Sequence, residues 1–285
     1  MKFKALARKA THRALQVRQH HRLSLSLALS VYDLALRMGI AVRFAAVPSL
    51  EGLYESSSRP IIVLSTLRPA GRQRFTCAHE IGHHVFGHGT RVDEILEPDQ
   101  PNGFDPQEYM ADRFAAALLM PKIAVEAAFA RRGWRVKTAT PEQFFIIAQS
   151  LGVGYTTLLT YAARTLNLIS LEAATDLERK PLKEVRRLLA QFDVPFDVFV
   201  VDAHWGNRPV EVEVGDVVLL PPSADVHGAA IQHLRLPVEH FVAVSPGHAL
   251  ATGLKEGWAA SILVSRRDYV GTVRYRHLED PDNGG

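Results

Sequence analysis

Apolar residues recur at helical spacing early in the chain, at Leu25, Leu29, Tyr32 and Leu36, and predict a helix that ends near Gly39. Residues 40–45 then read as a short strand, 50–54 as a turn or strand edge, 56–60 as a loop, and 61–65 as a β-branched strand. The run Pro69-Ala70-Gly71 punctuates the chain before a mostly apolar helix that starts near Gln73 and carries Phe75, Ala78, Ile81, Val85 and Phe86. A polar, acidic stretch follows over residues 90–106, broken by Pro98, Pro101 and Gly103. That is long for a structureless connection, a length typical of functional loops, and it could gate a substrate. Helices are expected at 107–119, stopped by Met120-Pro121, and at 123–131.

Further on, a helix from Pro141, a break at Leu151-Gly152-Val153 and a second helix over 156–166 outline a helix-turn-helix. Residues 171–191 read as one amphipathic linker helix, with Leu177, Leu182, Val185, Leu188 and Leu189 opposite Lys180, Lys183, Arg186 and Arg187. From Val194 the pattern changes to short β runs at 196–201, 210–214, 217–220, 241–244, 260–264 and 270–275. Turn signals separate them at Gly206-Asn207, Gly215-Asp216, Pro221-Pro222, Pro246-Gly247 and Glu256-Gly257, and the tail 279–285 reads as disordered. The expected fold is α+β in three parts. Residues 1–136 form a mostly helical domain with a small sheet, opening on a basic segment at 1–22; 137–192 form a helical module; 193–285 form a β-rich domain, barrel or sandwich.

Composition changes this picture little. The 47% hydrophobic content is ordinary for a soluble protein of 285 residues. No long uncharged apolar run occurs, since the best candidate, 23–40, is interrupted by Asp33 and Arg37; no membrane span is expected. Cys77 is the sole cysteine, which excludes an intramolecular disulfide and fits a reducing, cytoplasmic setting. The net charge of +3 is unevenly spread: Lys2, Lys4, Arg8, Lys9, Arg13, Arg18 and Arg22 precede the first acid, Asp33. A solvated basic helix ranks ahead of a nucleic-acid contact or a transit peptide. The second helix of the helix-turn-helix outline, with Thr156, Thr157, Thr160, Tyr161 and Arg164, offers a single positive charge, so packing outranks DNA contact there.

The chemistry concentrates in Thr76-Cys77-Ala78-His79-Glu80-Ile81-Gly82-His83-His84. On a helix, His79 and His83 are four apart, so both imidazoles project from one face and can grip one metal ion. Glu80 follows the first histidine, where its carboxylate can reach a water at that metal and take its proton. His84 cannot share the direction of His83 and reads as a surface or supporting residue. On the later helix, Glu108, Ala111, Asp112 and Ala115 share a face. Glu108 can complete a two-histidine, one-carboxylate site, and Asp112, one turn on, can accept the spare N–H of a ligand histidine. Nothing at suitable spacing offers a fourth protein ligand, so the site is expected to stay open to water. Zn²⁺ suits this set, and Mn²⁺ or Fe²⁺ would also be accepted. Tyr54 is a candidate for stabilising an oxyanion, against a plainer role as a core or rim tyrosine.

These motifs, H-E-I-G-H-H with His88 shortly after, and Glu108-x-x-Ala111-Asp112-x-Phe114-Ala115-Ala116-x-Leu118-Leu119-Met120-Pro121, resemble the ImmA/IrrE zinc peptidases. The resemblance covers about residues 24–166. It implies a zincin-like, gluzincin-type metalloendopeptidase with His79, His83 and Glu108 on zinc and Glu80 as base. Asp112 stands where members have Asn or Asp, and His88 where many have a supporting His. It also implies a protein substrate, a helix-turn-helix transcriptional repressor, cut in a stress, DNA-damage, mobile-element or defence context. Some relatives carry a C-terminal sensor domain of the GAF type. The alternative is a DNA-binding or protein-interaction regulator whose metal site is structural or active only on stimulation.

Overall fold

Helices and three small sheets make up the mixed α/β computed structural model, which describes residues 2–94, 104–206, 208–222, 224–235, 238–253 and 257–278. Pro98, Pro101 and Gly103 of the acidic stretch, the turn residues Asn207 and Glu256, and the tail 279–285 lie outside the described residues. The chain divides into two compact units. One holds Met1–Ala128, Leu151–Gly154 and Val270–Val273; the other holds Phe129–Ser150, Tyr155–Tyr269 and Arg274–Gly285.

In the first unit the basic segment forms α1 (Lys2–His20). Lys4, Arg8, Lys9 and Arg13 are exposed, as a solvated helix requires, but Arg18 is fully buried. Its guanidinium donates to the carbonyls of Leu118 (2.7 Å), Leu27 (3.0 Å) and Ser24. The helix expected from Leu25 is shorter: α2 (Val31–Arg37) starts only after Ser30, whose hydroxyl accepts from the Asp33 N–H at 3.3 Å. Strands β1 (Ala41–Ala45), β2 (Leu50–Glu55) and β3 (Ile61–Ser65) follow, then α3 (Ala70–Phe86), closed by Gly87 in the left-handed region at φ 66°.

Residues 91–94 of the expected loop are instead β4 (Arg91–Glu94), paired antiparallel with β2. Helix α4 (Pro106–Leu119) is capped by Asp105, whose carboxylate accepts from the Gln107 N–H at 2.7 Å. α3 packs on β2 and β3, and α4 lies against both α3 and α1. Ile62, Leu64, Ile81, Phe114 and Leu118 are fully buried. α5 (Lys122–Ala130) follows.

In the second unit, α6 (Pro141–Leu151) and α7 (Tyr155–Arg164) are bent by 99° across their break, within the range of helix-turn-helix pairs. Tyr161 of α7 is buried, while Thr156, Thr160 and Arg164 are exposed. The expected linker helix is two helices, α8 (Leu171–Glu178) and α9 (Leu182–Ala190), because Pro181 between them has no N–H to continue the ladder. Strands β5 (Val198–Val200), β6 (Val210–Glu213), β7 (Val217–Leu219), β8 (Ala224–His227), β9 (Ile231–Leu234), β10 (His240–Ala243), β11 (Gly247–Gly253) and β12 (Ala259–Ser265) form two four-stranded sheets. Phe199, Val201, Trp205, Val212, Val218, Ile262 and Val264 belong to one buried cluster contributed by both.

β8, β9 and β11 escape the sequence reading. β8 alternates half-buried and exposed residues around one apolar Val, β9 buries only Ile231 and exposes the next three residues, and β11 is rich in Gly and Ala. Finally β13 (Gly271–Thr272) pairs antiparallel with β1, completing the first unit's sheet in the order β13-β1-β3-β2-β4. Among the described residues no single helix is long and apolar enough to cross a membrane.

Candidate metal centre

Helix α3 delivers His79 and His83 to one face, as their spacing requires, with Nε2 atoms 2.9 Å apart. Glu108 arrives from the first turn of α4, its Oε2 3.1 Å from His79 Nε2 and 3.3 Å from His83 Nε2. Gly82 lets the two helices come this close, since a Cβ there would lie 3.1 Å from the Cα of Ala111 and 3.2 Å from Phe114 Cδ1. On the opposite side, Gly52 of β2 makes room for Glu80. A Cβ at Gly52 would sit 2.5 Å from Glu80 Oε1 and would also strike Thr76 Cγ2.

The supporting residues are placed around the histidines. Asp112 Oδ1 lies 2.9 Å from His79 Nδ1, so this nitrogen donates outward and Nε2 turns toward Glu108. His88 Nδ1 is 3.0 Å from His83 Nδ1. Tyr54 is buried, and its hydroxyl is 2.7 Å from His84 Nδ1. His84 is therefore a partner of Tyr54, not a member of the cluster around Glu108. Cys77 is fully buried, in keeping with a small filler.

One acid in the cluster has no counterpart in the sequence reading. Asp93 of β4 places Oδ2 3.1 Å from His79 Nε2. The donor atoms of His79, His83, Asp93 and Glu108 all lie within 4.8 Å of one another. Spacing offers no fourth ligand, but the fold brings one within reach. The alternation Arg91-Val92-Asp93 is the only sequence signal for it, and nothing local tells which of several acids in that stretch faces the helices.

A comparison with known families matches residues 35–160 to Peptidase_M78, the IrrE N-terminal-like domain. Residues 35–160 are an IrrE N-terminal-like domain. No curated protein matches the chain. The match contains both motifs and every residue of the cluster, so the chain carries a metallopeptidase domain of the IrrE/ImmA kind, and that family implies a bound metal.

The donor set of this IrrE-like domain fits such an ion. Tetrahedral bonds of about 2.0–2.1 Å put neighbouring ligand atoms about 3.3 Å apart, and the contacts to His79 and His83 Nε2 run from 2.9 to 3.3 Å. The electrostatics fit as well. Burial disfavours charge on His79, but hydrogen bonds to Asp112, Asp93 and Glu108 outweigh it and raise the imidazole well above its ordinary value. The same bonds from His79 and His83 hold Glu108 far below the usual carboxylate range. A proton thus neutralises charge where a cation belongs.

Glu80 is the exception in this IrrE-like centre. Burial, then the neighbouring Asp93 carboxylate, push it up to about 9. Neither of its oxygens meets a hydrogen-bond donor among the described residues. A buried carboxylate whose polar neighbour is a second acid, Asp93, beside metal-ligating groups suits a site that receives water or an ion. Burial and His83 lower His88 to about 4, which keeps it neutral behind His83.

Proposed function

We propose that the IrrE-like domain is a zinc-dependent endopeptidase of the gluzincin type, with a zincin-like centre held by His79, His83 and Glu108. The observation that supports this best is Glu80. It is fully buried and, among the described residues, has the acid Asp93 against it in place of an N–H donor, directly beside converged histidine and carboxylate ligands. When bound, the ion supplies a Lewis acid that acidifies water and polarises a peptide carbonyl. Glu80 then takes the proton of the attacking water and passes it to the departing amine nitrogen. Asp112 and His88 fix the rings of His79 and His83 through the outer nitrogens. Tyr54 would have to leave His84 before its hydroxyl could serve an oxyanion.

In this reading the substrate is a regulatory protein, a helix-turn-helix repressor in the cytoplasm, cut in a stress or mobile-element context; that class rests on the motif resemblance. A second reading, a regulator with an architectural metal, draws on Asp93 as a fourth potential ligand. The two separate by comparing new protein N-termini in cells that express wild type or Glu80→Gln, with and without DNA damage. A fragment made only by wild type is expected. The same fragments from both proteins would remove Glu80 as the base, and none under any stimulus would favour the architectural reading.

A further inference from the structure

The sequence of β4 is installed the wrong way round for an ordinary strand. Val92 is 53% exposed, while the acid next to it, Asp93, turns inward to the metal-ligating group. The register explains how. Asp93 stands directly opposite Gly52, and Val92 opposite Leu53, after a bulge between Leu50 and Gly52. Paired residues share a face of the sheet, so Asp93 projects on the side where Gly52 has no side chain. Glu80 fills that vacancy from α3, and Asp93 therefore enters the centre beside it, 3.1 Å from His79 Nε2.

An inward charge on an edge strand can simply discourage strand-to-strand aggregation. That accounts for an acid facing in, but not for one among three other metal-ligating atoms. A site with three protein ligands keeps a position for water, whereas a fourth protein ligand closes it. We propose that Asp93 is the fourth ligand and that this chain folds with its metal centre closed, so that β4 must withdraw Asp93 before water or a peptide can reach the ion. β4 suits that role: it has four residues and pairs with β2 alone among the described strands. The inference rests on the metallopeptidase reading and adds latency to it.

The test uses the full chain, its Asp93→Asn variant, which preserves side-chain shape, and Asp93→Ala. Zinc affinity is measured by competition with a chromophoric chelator. Access is measured by titrating acetohydroxamate into the cobalt-substituted proteins and following visible absorption. Loss of supporting residues alone lowers metal affinity about 10–100-fold, so loss of a direct ligand should lower it at least about tenfold. Acetohydroxamate should alter the cobalt spectrum of both variants at concentrations at least about tenfold below those needed for wild type. Unchanged zinc affinity, or an equal acetohydroxamate response in wild type and variants, overturns the proposal while leaving the peptidase reading intact. A wild-type chain that binds no zinc removes both. Melting curves of the metal-free proteins establish that the variants fold.

Discussion

At His79 a proton and a metal ion compete for one nitrogen. The imidazole stays charged well above its ordinary value because three carboxylates surround it, yet a metal accepts only the neutral ring. Binding must therefore release that proton, and affinity should rise as pH rises through neutrality. Zinc competition at pH 6, 7 and 8 is expected to show up to about a tenfold gain per pH unit; a flat profile would mean that His79 is not protonated in the metal-free chain. Glu80 gives a second pH effect of defined sign. Its folded value, about 9, lies above the ordinary 4.5. Its contribution to metal-free stability is thus complete below about 4.5 and is lost as pH climbs to about 9. Melting of the metal-free protein should weaken over that window, and Glu80→Gln should flatten the dependence.

At the scale of elements, the centre depends on how closely α4 approaches α3. Gly82→Ala would gain up to about 1 kcal/mol of helix propensity. The new methyl would press on the backbone of Ala111 at 3.1 Å, however, and overpacking costs about 1–3 kcal/mol. A backbone atom yields less readily than a side-chain end, so the net effect should be destabilising by about 1 kcal/mol, with weaker zinc binding as Glu108 is pushed away. Arg18 matters for a different reason. In Arg18→Met, the carbonyls of Leu118, Ser24 and Leu27 would lose their buried donor. A loss of roughly 2–4 kcal/mol is expected in urea unfolding. From sequence alone Arg18 belongs to a solvated basic helix, because a charge looks alike whether water or three carbonyls solvate it.

At the scale of the whole molecule, the chain's far end completes the sheet of the first unit. Gly271 and Thr272 pair with Phe44 and Arg43, over two hundred residues away in sequence. A chain ending at Tyr269 should show faster hydrogen exchange over residues 41–45, while residues 61–65, held between β1 and β2, stay protected. Unchanged exchange at 41–45 would make β13 dispensable. Local chemistry alone determined a good deal of this protein. The i, i+4 spacing set His79 and His83 on one face, Glu108 and Asp112 on one helix, and the β-branched run 61–65 became β3. Ser30, Asp105 and Pro181 marked helix starts through hydrogen-bonding chemistry or a missing N–H. What only the tertiary structure decided were contacts between elements: Gly52 yielding space to Glu80, Gly82 admitting α4, Arg18 turning inward, and Asp93 reaching His79. Each depends on register or packing against a distant segment, and no period or propensity within its own segment encodes that.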